Sequence, residues 1–319
     1  MFPKNIDDIL LINKFPDFNV QGFYVDAYNR RFKQSNVIIN ASSADIAYPE
    51  HWGCLSVKCA FGGNEIYKLA DRYYAVNNGN YFICNEGEYY SSCIAAKEPV
   101  ESFTLNFSHQ FVNIVALSLS NTDLQLNGQP GFSNAGPGEF IQKLYPHGGD
   151  LSSSIFRIKK LALNFDENKE IITEQYYTLL ENLFLTQQHV LNEIKRVKAV
   201  KLSTQKELYK RLHYAKDYLE SCFNEEVSIE TLALISCLNS AYLLREFKKY
   251  FKLTPHQYLI GKRMSVAKEL ILNTRLPVNE ICFSVGYTDA GSFGKLFKKY
   301  FLHAPETYRA LHKKVTFRP

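Results

Sequence analysis

Long apolar runs are missing from this chain of 319 residues. The longest are short, such as Ile114-Val115-Ala116-Leu117, whereas a membrane-spanning helix needs roughly 20 apolar residues. No membrane partner is expected. The N-terminus, Met1-Phe2-Pro3-Lys4-Asn5-Ile6-Asp7-Asp8, lacks the basic start, apolar core and small-residue cleavage site of a signal peptide. A cytoplasmic protein is the expectation. Cysteine pairing is missing too. The seven cysteines are Cys54, Cys59, Cys84, Cys93, Cys222, Cys237 and Cys282. An odd count without a C-x-x-C pair argues against a disulfide framework and a zinc module. No thiolate-stabilising context surrounds the first four, which argues against a redox switch. Cys237 and Cys282 lie in apolar helical segments and are expected to be buried.

Histidines do not cluster either. His51, His109 and His147 stand alone, with no H-x-H and no carboxylate at ligand spacing, and a metal site needs several converging ligands. No carboxylate pair and no Ser/Cys–His arrangement stands out. No catalytic residue, metal or cofactor is therefore expected, and the chain does not read as an enzyme.

What is present is aromatic and unevenly charged. Aromatic residues make up 14% of the chain, which argues for folded protein, and the length suits two or three domains. Residues 201–319 hold 20 Lys+Arg against 11 Asp+Glu, a net of +9, whereas residues 1–200 hold 17 against 21, a net of −4. A polyanion is expected to meet only the C-terminal part.

Residues 1–20 read as an arm broken by Pro3 and Pro16. Beyond it, short strands alternate with Gly/Asn turns. Cys54–Phe61 alternates with period two and ends at Gly62-Gly63-Asn64, and Glu65–Leu69 is expected to return as its hairpin partner. Tyr73–Val76, Tyr81–Cys84 and Val100–Phe107 follow. Strands at this spacing indicate an antiparallel barrel or sandwich. Residues 121–150 read as loop, with a short helix around Glu139–Tyr145.

The phrase Tyr74-Ala75-Val76-Asn77-Asn78-Gly79-Asn80-Tyr81-Phe82-Ile83-Cys84-Asn85-Glu86-Gly87 resembles the turn region of cupin-type sensor domains, over roughly residues 20–110. Enzymatic cupins carry a paired-His motif with a Glu and a later His, which this chain lacks. The resemblance therefore implies a ligand-binding or dimerisation module, with possible lining residues in Trp52 and the tyrosines. Core packing is the commoner role for any one of them.

Ser152–Leu163 and Lys169–Ile194 read as helices. The second carries Ile172, Tyr176, Leu179, Leu180, Leu183 and Phe184 on one face, extended by Leu191 and Ile194. That stripe suits packing on the sheet or pairing in a homodimer. Residues 195–206 read as a basic linker, which gives domains of 1–194 and 207–319.

The C-terminal region is written twice. Phe247-Lys248-Lys249-Tyr250-Phe251 with Pro255 and Tyr258 returns as Phe297-Lys298-Lys299-Tyr300-Phe301 with Pro305 and Tyr308, each match 50 residues on. This is a duplicated supersecondary unit. Ser228 is a good N-cap with Glu230 behind it, and Asn239 caps a helix over 240–251. A short helix, a tight turn and a helix with a basic outer face form a helix-turn-helix. Two are expected, at about 228–251 and 278–301, with a long helix from Pro255 to Leu272 between them.

The region 208–310 closely resembles the AraC/XylS family of bacterial transcription regulators. The resemblance rests on Leu232-Ala233, Tyr242-Leu243-x-Arg245-x-Phe247-Lys248-Lys249, Pro255-x-x-Tyr258-Leu259 with Arg263 and Ala267, and Ile281-x-x-x-x-Gly286-Tyr287-Thr288-Asp289-x-x-x-Phe293. It continues with Phe297-Lys298-Lys299 and Pro305-x-x-Tyr308-Arg309. It implies a multidomain α+β protein: an N-terminal antiparallel, cupin-like β-barrel with following helices, then an all-α domain of two tandem helix-turn-helix units joined by a long helix. The implied partners are double-stranded DNA, RNA polymerase, a small-molecule effector and a second copy of the chain, with activation the commonest outcome.

By alignment, Ser240, Ala241, Leu244 and Arg245 in the first unit and Ala290, Gly291 and Lys295 in the second would meet bases. Arg245 is the strongest of them, because its fork pairs with guanine O6 and N7. Lys248, Lys249, Lys298 and Lys299 would meet phosphates. Two departures stand out. Lys252 and Leu302 replace the Gly that usually ends each recognition helix, at a cost of about 1 kcal/mol if the site is left-handed. Gly291 and Gly294 weaken the second helix by roughly 1 kcal/mol each. The first unit is therefore expected to carry most of the sequence reading. The competing readings are a cupin-like enzyme with an incidental basic tail, and a constitutive regulator whose N-terminal domain only dimerises.

Overall fold

The computed structural model describes residues 9–15, 30, 32–127, 139–197 and 201–313. The chain divides into two compact units, residues 1–210 and 211–319.

The first unit is built on a mixed sheet of eight strands: β1 (Ile9–Ile12), β2 (Asn36–Trp52), β3 (Ser56–Phe61), β4 (Glu65–Leu69), β5 (Arg72–Val76), β6 (Asn80–Cys84), β7 (Tyr89–Asn106) and β8 (Leu144–Pro146). The strand path is β1-β2-β7-β3-β6-β8, with the β4–β5 hairpin attached to β7. β2 and β7 run antiparallel along nearly their whole length, with bulges between Ser43 and Asp45 and between Tyr48 and His51. β7 can do this because its two halves serve different neighbours. Residues 101–106 pair with β3, and Ser91, Ser92 and Cys93 pair with β4.

The sheet differs from the expected antiparallel barrel in two respects. Its pairing is an open path, not a closed ring, and β1 lies parallel to β2. The expected arm thus contributes a strand, because Ile9–Ile12 finds the free edge of Asn36–Ile39. The rest of the arm, residues 1–8 and 16–20, lies outside the described residues. Glu65–Leu69 turns back on β5 and β7, not on β3. β3 is already flanked on both sides by β6 and β7, so no edge was left for β4.

Three helices follow, α1 (His109–Asn127), α2 (Gly149–Leu161) and α3 (Phe165–Lys195), with a 3-10 turn at Ala162–Asn164; a fourth, α4 (Leu202–Ser221), begins in the first unit and ends in the second. The expected loop over 121–150 is therefore helical up to Asn127. The expected helix at Glu139–Tyr145 is instead extended chain ending in β8, which pairs with β6. Asn85 sets this up. Its side chain donates to the Phe140 carbonyl and accepts from the Phe140 amide, both at 2.9 Å, as a neighbouring strand would. α3 buries the predicted stripe from Ile172 to Phe184, and Phe107 meets Tyr176 edge-on at 5.6 Å. Val190 and Ile194 continue the stripe, while Leu191 points outward at 39% exposure.

The second unit is helical: α5 (Ile229–Ser236), α6 (Ser240–Phe251), α7 (Pro255–Asn273), α8 (Val278–Ser284), α9 (Ala290–Phe301) and α10 (Pro305–Lys313). α7 starts sharply because Thr254 and Gln257 form a reciprocal capping box and Pro255 holds the first helical position. Its Met264, Ala267 and Ile271 join Ile281, Cys282, Val285, Phe293, Phe297 and Tyr308 in one core. Among the described residues no helix is long and apolar enough to cross a membrane, and no group of His, Cys, Asp or Glu is placed to hold a metal.

Candidate nucleic-acid interface

Each repeat is held by the same three aromatic rings. Phe247, Phe251 and Tyr258 stand 4.5, 6.0 and 6.2 Å apart. Phe297, Phe301 and Tyr308 stand 4.6, 5.6 and 5.6 Å apart. The duplicated phrase therefore supplies the packing that fixes α6 against α7 and α9 against α10. Burying one such phenylalanine is worth about 1.5–3 kcal/mol.

Local chemistry sets the start of each helix. Ser228 Oγ accepts from the Thr231 amide at 3.1 Å and opens α5. Cys237 ends it in a left-handed conformation, φ 51°. Cys237 is exposed, contrary to the expected burial, because this corner carries it out of the apolar face. Arg211 Nη1 donates to its carbonyl at 2.7 Å. Asn239 Oδ1 accepts from the Ala241 amide at 3.0 Å and starts α6. In the second unit Asp289 Oδ2 accepts from the Ser292 amide at 2.6 Å. Hydrogen bonds from Ser292 hold the Asp289 carboxyl below the usual carboxylate range.

The turn before α9 requires glycine. Gly286 has φ 82°, and a Cβ there would sit 2.6 Å from the Asn224 carbonyl oxygen and 2.9 Å from Arg263 Nη2. Arg263 occupies that space to donate to the carbonyls of Phe223 and Glu225, at 2.6 and 2.7 Å.

The outer face of α6 presents Ala241, Tyr242, Leu244, Arg245, Lys248 and Lys249 to solvent, with Ser240 half-buried. Leu243, Glu246 and Phe247 are buried. Arg245 is prepositioned. Its Nε donates to Glu246 Oε1 at 3.1 Å, and its guanidinium lies 5.0 Å above the Tyr242 ring. Its terminal nitrogens have no protein acceptor among the described residues. Glu246 also accepts from Lys249 Nζ at 2.9 Å. Burial pushes the Glu246 carboxyl up, but Lys249 and Arg245 outweigh it and hold the group below its ordinary value. Lys249 is thus committed partly to Glu246, whereas Lys248 is exposed and has no such tie among the described residues. Tyr242 entered the sequence reading only as a resemblance residue, and Glu246 was not singled out. The available signals were the three-residue spacings of Tyr242 to Arg245 and of Glu246 to Lys249.

The outer face of α9 is barer. Gly291, Lys295, Lys298 and Lys299 are exposed, and Ala290 is half-buried. Gly294 faces open space. Every predicted contact residue in the second unit therefore lies on one helix, with Lys295 its longest polar side chain away from the C-terminal lysine pair. In both helices the pairs Lys248–Lys249 and Lys298–Lys299 occupy the last turn, where cations suit the helix dipole.

Residues 232–311 match a family described as a helix-turn-helix domain. The transcriptional activator RhaS of Enterobacter sp. (strain 638) is 35% identical over 99 residues, 31% of this chain and 36% of that protein. The lactose operon transcription activator of Staphylococcus xylosus is 26% identical over 170 residues, 50% of this chain and 55% of that one. The C-terminal domain of the response regulator yesN from Fusobacterium nucleatum is 35% identical, covering 30% of this chain and 93% of that chain, with a TM-score of 0.29. The chain spans about a third to a half of the length of these curated relatives. The C-terminal part of this chain, residues 232–311, carries a helix-turn-helix domain.

Proposed function

We propose that this protein is a sequence-specific, DNA-binding transcription regulator that acts as an activator in the cytoplasm. The observation that carries the reading is the repetition in space: two capped helices, each with a basic last turn, each held by the same aromatic triangle. In this reading α6 and α9 enter successive major grooves. Arg245 reads a guanine, helped by Ser240, Ala241 and Leu244, and Ala290, Gly291 and Lys295 make the shorter contacts of the second helix. Lys248, Lys249, Lys298 and Lys299 grip phosphates, and RNA polymerase is the protein partner. The N-terminal unit binds a small effector, pairs two copies, or does both. Regulators named as activators among the relatives support the sign of regulation.

Genome-wide mapping of the tagged full chain tests this. The expected result is a discrete set of sites sharing one motif, with a base position whose preference disappears in Arg245→Ala. Binding to the best site should weaken about 5- to 150-fold, equivalent to about 1–3 kcal/mol for one bidentate base contact. Lys298→Ala should weaken all sites alike and reduce the salt slope by about one. Absence of any shared motif would overturn the proposal.

A further inference from the structure

The first unit holds a partly open cavity of about 50 Å³ at its sheet, with mostly apolar walls and a few inward polar groups. It forms because β7 turns one face of both its halves inward. Tyr90 and Ser92 share that face in one half, Ser102 and Thr104 in the other, all spaced by two. The register brings Lys58 of β3 opposite Thr104 and Tyr67 of β4 opposite Ser92. Glu65 lies two residues before Tyr67, on the same face. A core normally fills such a face with apolar side chains. Here it holds an ammonium and a carboxyl, 2% and 3% exposed.

Among the described residues Lys58 and Glu65 form no direct ion pair with each other or with a third group. Lys58 Nζ donates to Tyr90 Oη at 2.8 Å and lies 4.4 Å above the Tyr90 ring and 5.3 Å from that of Tyr67. These partners are neutral, and no carboxylate pairs with Lys58 among the described residues. An ammonium has three donors, so two remain. Ser102, Tyr67 and Ser92 hydrogen-bond to the Glu65 carboxyl, but its Oε2 has no hydrogen-bond partner. Burying a charge and an unsatisfied oxygen is costly, and a surface that keeps both around a cavity is shaped for a ligand that satisfies both.

We propose that this cavity binds a small 2-hydroxy monocarboxylate, with its carboxylate on Lys58 and its hydroxyl donating to Glu65. The assignment rests on reading the N-terminal unit as an effector-binding module, and it names the effector's chemical class. Size limits the ligand. A water-sized group needs about 10–15 Å³ of such space, so the cavity admits about three to five heavy atoms, which suits a two-carbon hydroxy acid and makes a three-carbon one the upper limit. A hydroxyl also suits Glu65 in either protonation state, which matters because burial pushes that carboxyl up from its usual range. The Tyr67 and Tyr90 rings pack against the carbon body. His51, whose ring lies 4.4 Å from that of Tyr90, is kept neutral by burial, with Lys58 adding to the effect.

The test is thermal unfolding of the full chain with 10 mM glycolate or lactate, against ethylene glycol and propane-1,2-diol as neutral counterparts and glycine and alanine as amino counterparts. At least one hydroxy acid should raise the melting midpoint by about 2 °C or more, with no comparable shift from its counterparts. Lys58→Met should abolish the shift. Should that variant fail to fold, Ile39→Phe, which narrows the cavity from an apolar lining residue, should abolish it as well. The proposal is overturned if no hydroxy acid shifts the midpoint, if the neutral or amino compounds shift it equally, or if the shift survives in the folded variants. A chain that selects DNA sites but responds to none of these acids loses only this assignment. A chain that responds to an acid but selects no DNA loses only the regulator reading.

Discussion

Lys252 and Leu302, one repeat apart, adopt the same left-handed conformation, φ 64° and 66°, at the C-terminal ends of α6 and α9. Left-handed backbone costs a side-chain-bearing residue roughly 1–2 kcal/mol, so both helix ends store strain that glycine would remove. Leu302 is 79% exposed and gains little from its side chain. Leu302→Gly is expected to stabilise the C-terminal unit by about 0.5–1 kcal/mol, after the entropy glycine adds to the unfolded chain. Lys252→Gly should gain less, because Lys252 Nζ donates to the Lys249 carbonyl at 2.9 Å. Calorimetry of the full chain checks both.

Gly286→Ala should act in the opposite direction. The new methyl would meet the Asn224 carbonyl and the Arg263 guanidinium in a backbone conformation that disfavours alanine. A loss of about 2 kcal/mol or more is expected. Unchanged urea unfolding of this variant would contradict the described turn.

Under the proposed function, the Arg245–Glu246 contact makes Glu246 a positioning residue for Arg245. Glu246→Gln keeps the shape but removes the charge that holds Arg245 Nε and Lys249 Nζ. Preference for the best DNA site should fall roughly fivefold, about 1 kcal/mol for a charge-assisted bond made neutral. Fluorescence anisotropy with matched and mismatched duplexes measures this. Equal loss on both duplexes would instead point to a general weakening of the helix.

Glu220 ties α4 to α7 through Lys262 Nζ at 2.5 Å and through the Tyr258 hydroxyl. Burial raises its carboxyl, but Lys262, Lys216 and Tyr258 outweigh burial, so its folded pKa lies below its ordinary value. A depressed carboxyl contributes stability above the unfolded pKa, about 4.3 for Glu, and loses it as pH falls through the folded pKa. Glu220→Gln should therefore lower stability at pH 7 and flatten the acid side of the curve below about pH 4.3. Denaturant titrations from pH 7 to pH 3 give both quantities.

Thiol reactivity should divide along burial. Burial pushes the Cys54 and Cys84 thiols up to about 12 and Cys59 higher still. Cys93 and Cys237 are exposed. Brief alkylation of the native protein with iodoacetamide, read by peptide mass, should label Cys237 and Cys93 and spare the three buried thiols.

The C-terminal helices were legible because their signals are local. Ser228, Asn239 and Pro255 start helices wherever they precede an apolar periodic run, and the phenylalanines four residues apart mark one face. The sheet was less legible because a strand does not name its partner. Glu65–Leu69 reads like a hairpin mate for Cys54–Phe61, and only the prior claims of β6 and β7 on β3 exclude that. β8 is three residues long and depends on Asn85 to hold Phe140, far away in sequence. Lys58 and Glu65 read as ordinary polar positions on alternating strands; their burial appears only once β7 turns the same face inward at both ends.

The sequence by itself determined the duplicated helical units, their caps, their basic outer faces and the aromatic anchors, since these arise from spacings of a few residues. Tertiary structure alone decided that Glu246, next to Arg245 in sequence, is buried. It also decided the order of the strands and the enclosure of an ammonium and a carboxyl in one cavity. Those outcomes depend on contacts between distant segments, where the competition for strand edges and the cost of burying charge are settled.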